Sequence, residues 1–302
     1  MSEEDAVAYL SNNSNYFRLS SYKRNFLTVD HGPRQGQYRN LDFKMLVDLS
    51  IVDMLLRQML LCITLDVEHF AKMKLLRCLE ERNEDGYQLV DSFIESYSKD
   101  NNGKVTNSLK DEIDKCNASP YTGWILGEYP KYDFPIWAFL EVISLGSFNH
   151  FYKYCADHFN DRAMKDDFYL LQSVKMLRNA CAHNDCILSM LKTGNASFAP
   201  RNQVQTAVSH IPKIGKTQRD SKLKNECFQQ IATALYMHKE LVSVGIRSHR
   251  AEDLRRFVAR MNKNAVYYKG NEQVLSGFAF IEALVEAWYP RNICADEDSG
   301  VN

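Results

Sequence analysis

Apolar residues return at every third or fourth position through most long segments, the spacing that gathers them on one face of an α-helix, and strict alternation is almost absent. The pattern predicts an all-α protein. Ser2-Glu3-Glu4-Asp5 has the form of an N-terminal capping box, and Ala6, Val7, Tyr9 and Leu10 follow at helical spacing, so a short helix is expected to open the chain. From residue 41 to about 81, Phe43, Leu46, Val47, Leu49, Val52, Leu55, Leu56, Met59 and Leu60 recur without Pro or Gly, which predicts one long, largely buried helix. Residues 99–104 and 117–135, the latter with Pro120, Gly123, Gly127, Pro130 and Pro135, carry the clearest turn chemistry and are expected to be loops. Helices are expected over 136–145, 148–159 and 168–181, and again over 226–244, 251–262 and 272–288, with a polar tail beyond Pro290 that should fray.

Composition narrows the class without naming a function. A chain of 302 residues with 45% hydrophobic and 25% charged residues is an ordinary globule of one large or two intimate domains, neither disordered nor membrane-spanning. The acidic start lacks the basic and apolar regions of a signal peptide, so a cytosolic location is expected. Eight scattered cysteines are unlike the dense spacing of a disulfide-stapled secreted domain and read as reduced, mostly buried thiols. A net charge of −1 provides no global positive field, so any nucleic-acid role must rest on local patches. Residues 191–225 form one such stretch, with seven Lys or Arg against the single acid Asp220, and are expected to be a basic connector. Arg247, Arg250, Arg255, Arg256 and Arg260 form another. Such charge runs serve equally well as plain solvated faces.

Four segments, in order, carry a family resemblance. Tyr9-Leu10 with Tyr16-Phe17-Arg18-Leu19-Ser20-Ser21-Tyr22 looks like a Y-Y-R-L-S-x-Y element in which Phe17 replaces a tyrosine. The long helix contributes Asp42-Phe43, Asp53, Leu56-Arg57 and Asp66-Val67-Glu68. Trp137-Ala138-Phe139-Leu140-Glu141, with Ser144 and Gly146, is similar to W-A-x-x-E-x-x-S-F-G, and Leu177-Arg178-Asn179-Ala180-Cys181-Ala182-His183 to L-R-N-x-C-A-H. Asn184 stands where the family has a second histidine. Together these segments resemble the Abi-like abortive-infection family and its HEPN-type R-x4-H motif. The resemblance implies a HEPN-like helical bundle with additional N- and C-terminal helices. It divides the chain into an N-terminal segment over 1–40, a HEPN-like core over 41–190, the basic connector over 191–225 and C-terminal helices over 226–302. It also implies an antiphage protein that pairs as a homodimer and cleaves RNA without a metal.

The residue types suit that chemistry. Cleaving RNA without a metal needs a group that moves protons and a cation that stabilises charge on the phosphate. His183 supplies the first and Arg178 the second, with Asn179 in reach of either task. On a helix Asn179 and His183 share a face, whereas Arg178 and His183 stand about 140° apart, so one motif makes a poor self-contained site and two facing motifs a better one. Glu141 is a candidate partner for Arg178 or His183, and equally a member of a structural ion pair. Lys213, Lys216, Arg219 and Lys222 are candidate RNA contacts. Trp137, Phe139 and Leu140 read as core. Arg18 and Arg57 are set outside the catalytic set, because an arginine bonding loop carbonyls or a carboxylate needs no substrate. Cys155, His158, Cys181, His183 and Cys186 match no common zinc spacing, and no Gly-rich phosphate loop is present, so neither metal nor cofactor is expected. The competing reading is a non-catalytic partner of a structured RNA, with Arg178 and Asn179 as internal hydrogen-bonding groups and His183 closing a helix. The sequence names neither the RNA, the trigger nor any neutralising partner.

Overall fold

The computed structural model describes residues 1–97 and 107–291. The loop expected at 99–104 and nearly all of the tail lie outside the described residues. In chain order the helices are α1 (Glu3–Asn12), α2 (Tyr16–Ser20), α3 (Phe43–Glu81), α4 (Gly86–Tyr97), α5 (Ser108–Lys115), α6 (Gly123–Glu128) and α7 (Ile136–Val142). They continue as α8 (Leu145–His158), α9 (Arg162–Ala182), α10 (Asn202–Ser209), α11 (Lys216–Leu223), α12 (Glu226–Leu241), α13 (Val244–Lys263) and α14 (Glu272–Trp288). The protein is all-α: among the described residues no strand ladder forms, and one antiparallel bridge pairs Thr28 with Tyr38.

The chain divides into two compact units, one of residues 1–67 and 176–302, the other of residues 68–175. In the second unit α4, α5, α7 and α8 enclose an aromatic centre in which Phe93 lies 5.0 Å from Phe151 and 6.1 Å from Phe139, and Phe139 lies 5.2 Å from Phe151 between ring centroids. All three rings are buried. Ser144, the serine of the W-A-x-x-E-x-x-S-x-G segment, is the N-cap of α8. Its hydroxyl accepts from the Ser147 amide, and Glu112 of α5 accepts from the Ser147 hydroxyl at 2.7 Å. That serine starts a helix. Phe139 and Leu140 are core, as their spacing predicts, but Trp137 is 57% exposed and meets Tyr87 edge-on. A six-residue helix, α6, occupies part of the expected 117–135 loop. It is too short, and too closely flanked by Gly and Pro, for its periodicity to show.

In the first unit α14 packs against α12 and α13. A Cβ at Gly277 would meet the Phe228 ring at 2.6 Å, so only glycine admits this approach of α14 to α12. Buried Leu49, Val52, Leu56, Leu60, Ile63 and Val67 form the apolar stripe of α3. Three aspartates interrupt that helix, and each is met by donors. Asp48 accepts from Arg260 and Asn264 at 2.8 Å and from the Tyr268 hydroxyl at 2.7 Å. Asp66 accepts from Arg250 at 2.6 Å and pairs with His238 at 3.3 Å, whose other ring nitrogen lies 3.0 Å from the Tyr289 hydroxyl. Asp53 belongs to the site below.

These contacts account for the C-terminal arginines. Arg250 and Arg260 hold α3 carboxylates, buried Arg247 donates to the Lys239 carbonyl, and Arg255 and Arg256 pair with Glu252 on their own helix. The expected basic connector is likewise structured, because α10 buries Val204 and Val208 and α11 buries Leu223. Eight-residue helices present two turns each, too few to show a repeat, and in α11 Lys216, Arg219 and Lys222 mask it further.

Candidate active site

The R-x4-H segment forms the last turn of α9 and its exit, in the first unit. Leu177 and Cys181 are buried, Arg178 and Asn179 are half-buried, and His183 is exposed. Burial pushes the Cys181 thiol up to about 12, against the pull of Arg57, so it remains a protonated packing group. The helix closes with two bonds of a Schellman motif: the Asp185 amide donates to the Ala180 carbonyl at 2.9 Å, and the Asn184 amide to the Cys181 carbonyl at 3.1 Å. Asn184 takes φ +61°, the left-handed conformation such a turn requires. Asparagine tolerates it better than most side chains, a local reason for Asn184 at this position. His183 is therefore the helix C-cap, its amide bonded to the Asn179 carbonyl at 2.8 Å.

Residues remote in sequence hold this turn in place. Arg18 donates to the Asn184 carbonyl at 2.8 Å and to its side-chain oxygen at 3.2 Å. Arg57 donates to the Asp185 carbonyl at 3.1 Å and forms an ion pair with Asp53 on its own helix. Asp53 is fully buried and also accepts from the Tyr22 hydroxyl at 2.7 Å and the Leu188 amide at 2.8 Å. Burial pushes the Asp53 carboxyl up, and Arg57, Tyr22 and the Leu188 amide oppose that rise. Buried Asn25 completes the clamp, donating to the Leu188 carbonyl at 2.7 Å and accepting from the Leu191 amide at 2.9 Å. Segment 184–191 is thus tied down by four side chains from the first 57 residues.

Arg18, Tyr22, Asp53 and Arg57 of the clamp fall in two of the segments that carry the resemblance, and Asn25 lies just after the first. Their shared task is mechanical: they fix the exit turn that presents His183. Arg18 and Arg57 both donate to carbonyls of this turn. The sequence pattern assigns no role to Tyr22, Asn25 or Asp53, although Asp53 and Arg57, opposite charges four residues apart on an apolar helix stripe, are the signature of a buried pair.

A family model described as Abi-like protein matches residues 8–189, which include the whole clamp up to Leu188 and the R-x4-H turn. The chain belongs to the Abi-like family. No curated protein and no solved structure matches it. Membership places it with abortive-infection defence in general. The match ends just past Leu188, so the five C-terminal helices α10 to α14 lie beyond the matched part of this Abi-like chain.

The remaining candidates are dispersed. Glu141 is exposed on α7, in the second unit. Lys213 pairs with Glu286, Arg219 with the neighbouring Asp220, and Lys216 is exposed. Lys222 is buried, donates to the Ser276 hydroxyl at 2.8 Å and lies 4.8 Å from the Phe228 ring centroid, and burial pushes its ammonium down to about 8. It does not share a solvent-facing patch with the other three. Among the described residues no three His, Cys, Asp or Glu side chains gather as metal ligands, and the cysteines are free thiols, with Cys155 and Cys181 buried and the others half-buried. No helix among them is long and apolar enough to cross a membrane.

Proposed function

We propose that this Abi-like protein is a metal-independent endoribonuclease of abortive-infection defence, with His183 as the group that moves protons and Arg178 as the cation that meets the phosphate. The observation that carries the reading is the contrast at the end of α9: His183 is exposed on a turn whose backbone is held by a charge-assisted clamp that is anchored in the core at Asp53. Catalytic groups need that combination of access and fixed placement. Asn179, one turn before His183, serves to orient the imidazole or the phosphate. Arg178 and His183 lie on different sides of the helix, so two copies facing each other would gather both groups around one scissile phosphate. The expected unit of activity is a homodimer.

In the proposed step the 2′-hydroxyl attacks the adjacent phosphorus and gives up its proton, the P–O5′ bond breaks, and the leaving oxygen gains a proton. The products are a 2′,3′-cyclic phosphate and a free 5′-hydroxyl, with no redox change and no external nucleophile. Incubation of the purified wild type with RNA in EDTA, followed by end-group analysis, tests this. Cyclic phosphate ends are expected; cleavage that needs a divalent metal, or 5′-phosphate ends, overturns the reading. The second reading, a non-catalytic holder of structured RNA, draws on the C-cap position of His183, where a histidine has a local role without chemistry. Binding without cleavage across varied RNAs would favour it.

A further inference from the structure

Residues 18–44 carry six Lys or Arg against two Asp, a density of positive charge comparable to that of the 191–225 stretch. The two differ in how the charge is presented. Arg24 and Arg34 are exposed, and neither guanidinium meets a hydrogen-bond or ion-pair partner among the described residues. Lys23 lies between two aromatic rings, 4.5 Å from the Tyr16 centroid and 5.9 Å from that of Tyr38, and donates to the Tyr16 hydroxyl. Tyr16, Phe17 and Tyr38 are all exposed, Phe17 by 87%. Tyr38 sits in the short bridge to Thr28, and the Gly36 and Arg39 amides add bonds to the Val29 and Leu27 carbonyls, so this loop has a defined hairpin form.

We infer that Tyr16, Phe17 and Tyr38, with Lys23, Arg24 and Arg34, form a binding surface for unpaired RNA beside the His183 turn. The inference rests on the ribonuclease reading and names the substrate class for that site. Exposed aromatic faces offer stacking to splayed-out bases, which a continuous duplex keeps stacked on one another, and the cations follow the backbone. Placement is fixed by Arg18: it follows Phe17 on α2, and its guanidinium holds the residue next to His183. A strand stacked on Tyr16 or Phe17 therefore runs past the exposed histidine. The plain alternative, a cation–π clip that only stiffens the hairpin, explains Tyr16, Lys23 and Tyr38 but gives no task to Phe17, Arg24 or Arg34.

The test uses the full chain carrying His183→Ala, with a fluorescein-labelled unstructured RNA oligomer and the duplex it forms with its complement, read by anisotropy across a salt series. Binding should favour the single strand. Arg24→Glu with Arg34→Glu should weaken it by roughly tenfold or more and flatten the salt slope by about 1.4, at about 0.7 for each single-strand phosphate no longer neutralised. Phe17→Ser should weaken it by about fivefold or more with the salt slope unchanged, the mark of reduced stacking. These substitutions are at exposed positions, and circular dichroism should match the parent. Unchanged affinity in both variants, an equal or greater preference for duplex, or no RNA binding at all overturns the inference. Changed oligomeric state with unchanged RNA affinity also overturns it and assigns the patch to protein contact. Single-strand binding that falls as expected, from a wild type that never cleaves, upholds the surface while the ribonuclease reading fails.

Discussion

Two stretches stand out in the sequence as places to meet RNA, the R-x4-H turn and the basic segment at 191–225, and the fold treats them in opposite ways. At the turn, charged side chains from far away in sequence converge on backbone groups, so Arg18, Arg57 and Asp53 are committed to building a presented surface. In the basic segment, Lys213 and Arg219 are committed to nearby carboxylates and Lys222 is buried on Ser276. Charge in a sequence therefore marks a partner without saying which one. The difference lies in burial: paired charges on an apolar stripe are structural, and charges outside it are settled by their neighbours.

The largest way to break this comparison is Asp53→Ala. It leaves Arg57 without its carboxylate in the interior and should cost about 3–5 kcal/mol. Chemical denaturation of the variant beside Lys216→Ala, which should stay within about 0.5 kcal/mol of wild type, measures both ends of the contrast. A loss below about 1 kcal/mol at Asp53 would mean that the clamp is not a structural unit. Next in size is Arg18→Ala. Its two bonds to Asn184 position the turn from a half-buried side chain, so the fold should survive while RNA cleavage falls by about tenfold to a hundredfold, chiefly in kcat. Restoring a cation with Arg18→Lys should recover little, because one ammonium does not reproduce the forked contact.

Much of the fold is legible in the sequence because long helices repeat their pattern. The N-cap at Ser2, the uninterrupted run of α3 and the bounds of α14 all rest on local chemistry. Most of what is hidden is short or non-local; the twelve-residue α4, for which the sequence reading has no counterpart, is the exception. α6, α10 and α11 have too few turns to show a period. The clamp joins residues more than 120 apart, and no spacing rule links Asp53 to the Leu188 amide. Of the site, the types at Arg178, Asn179 and His183 are readable, whereas the C-cap position of His183 and the burial of Lys222 depend on packing that the sequence does not display.

A smaller effect concerns acid. Burial works against the Asp66 carboxylate, yet the hydrogen bonds and charges of His238 and Arg250 outweigh it and hold the group down to about 2. A carboxyl lowered in the folded state contributes stability that is full above its unfolded value near 4 and is lost as pH falls toward 2. Asp66→Asn should therefore flatten the acid limb of stability between about pH 4 and 2, measured by denaturation midpoints. An unchanged limb would show that the pair with Arg250 adds nothing to the fold. The smallest expected effect is charge reversal at Lys213, Lys216 and Arg219 together, because two of the three already have carboxylate partners. RNA affinity should fall by only a few fold at moderate salt, less than for Arg24 with Arg34, and a larger loss would return the main RNA-binding role to the basic segment.

The most direct measurement is RNA cleavage by His183→Ala beside the wild type, in EDTA, with circular dichroism and sedimentation confirming the same helical fold and the same oligomer. General acid–base catalysis is worth about 10² to 10⁴-fold, so a loss of at least a hundredfold is expected with RNA binding largely kept. Wild-type cleavage by His183→Ala would contradict the assignment, leaving the exposed histidine on its clamped turn as a helix cap alone.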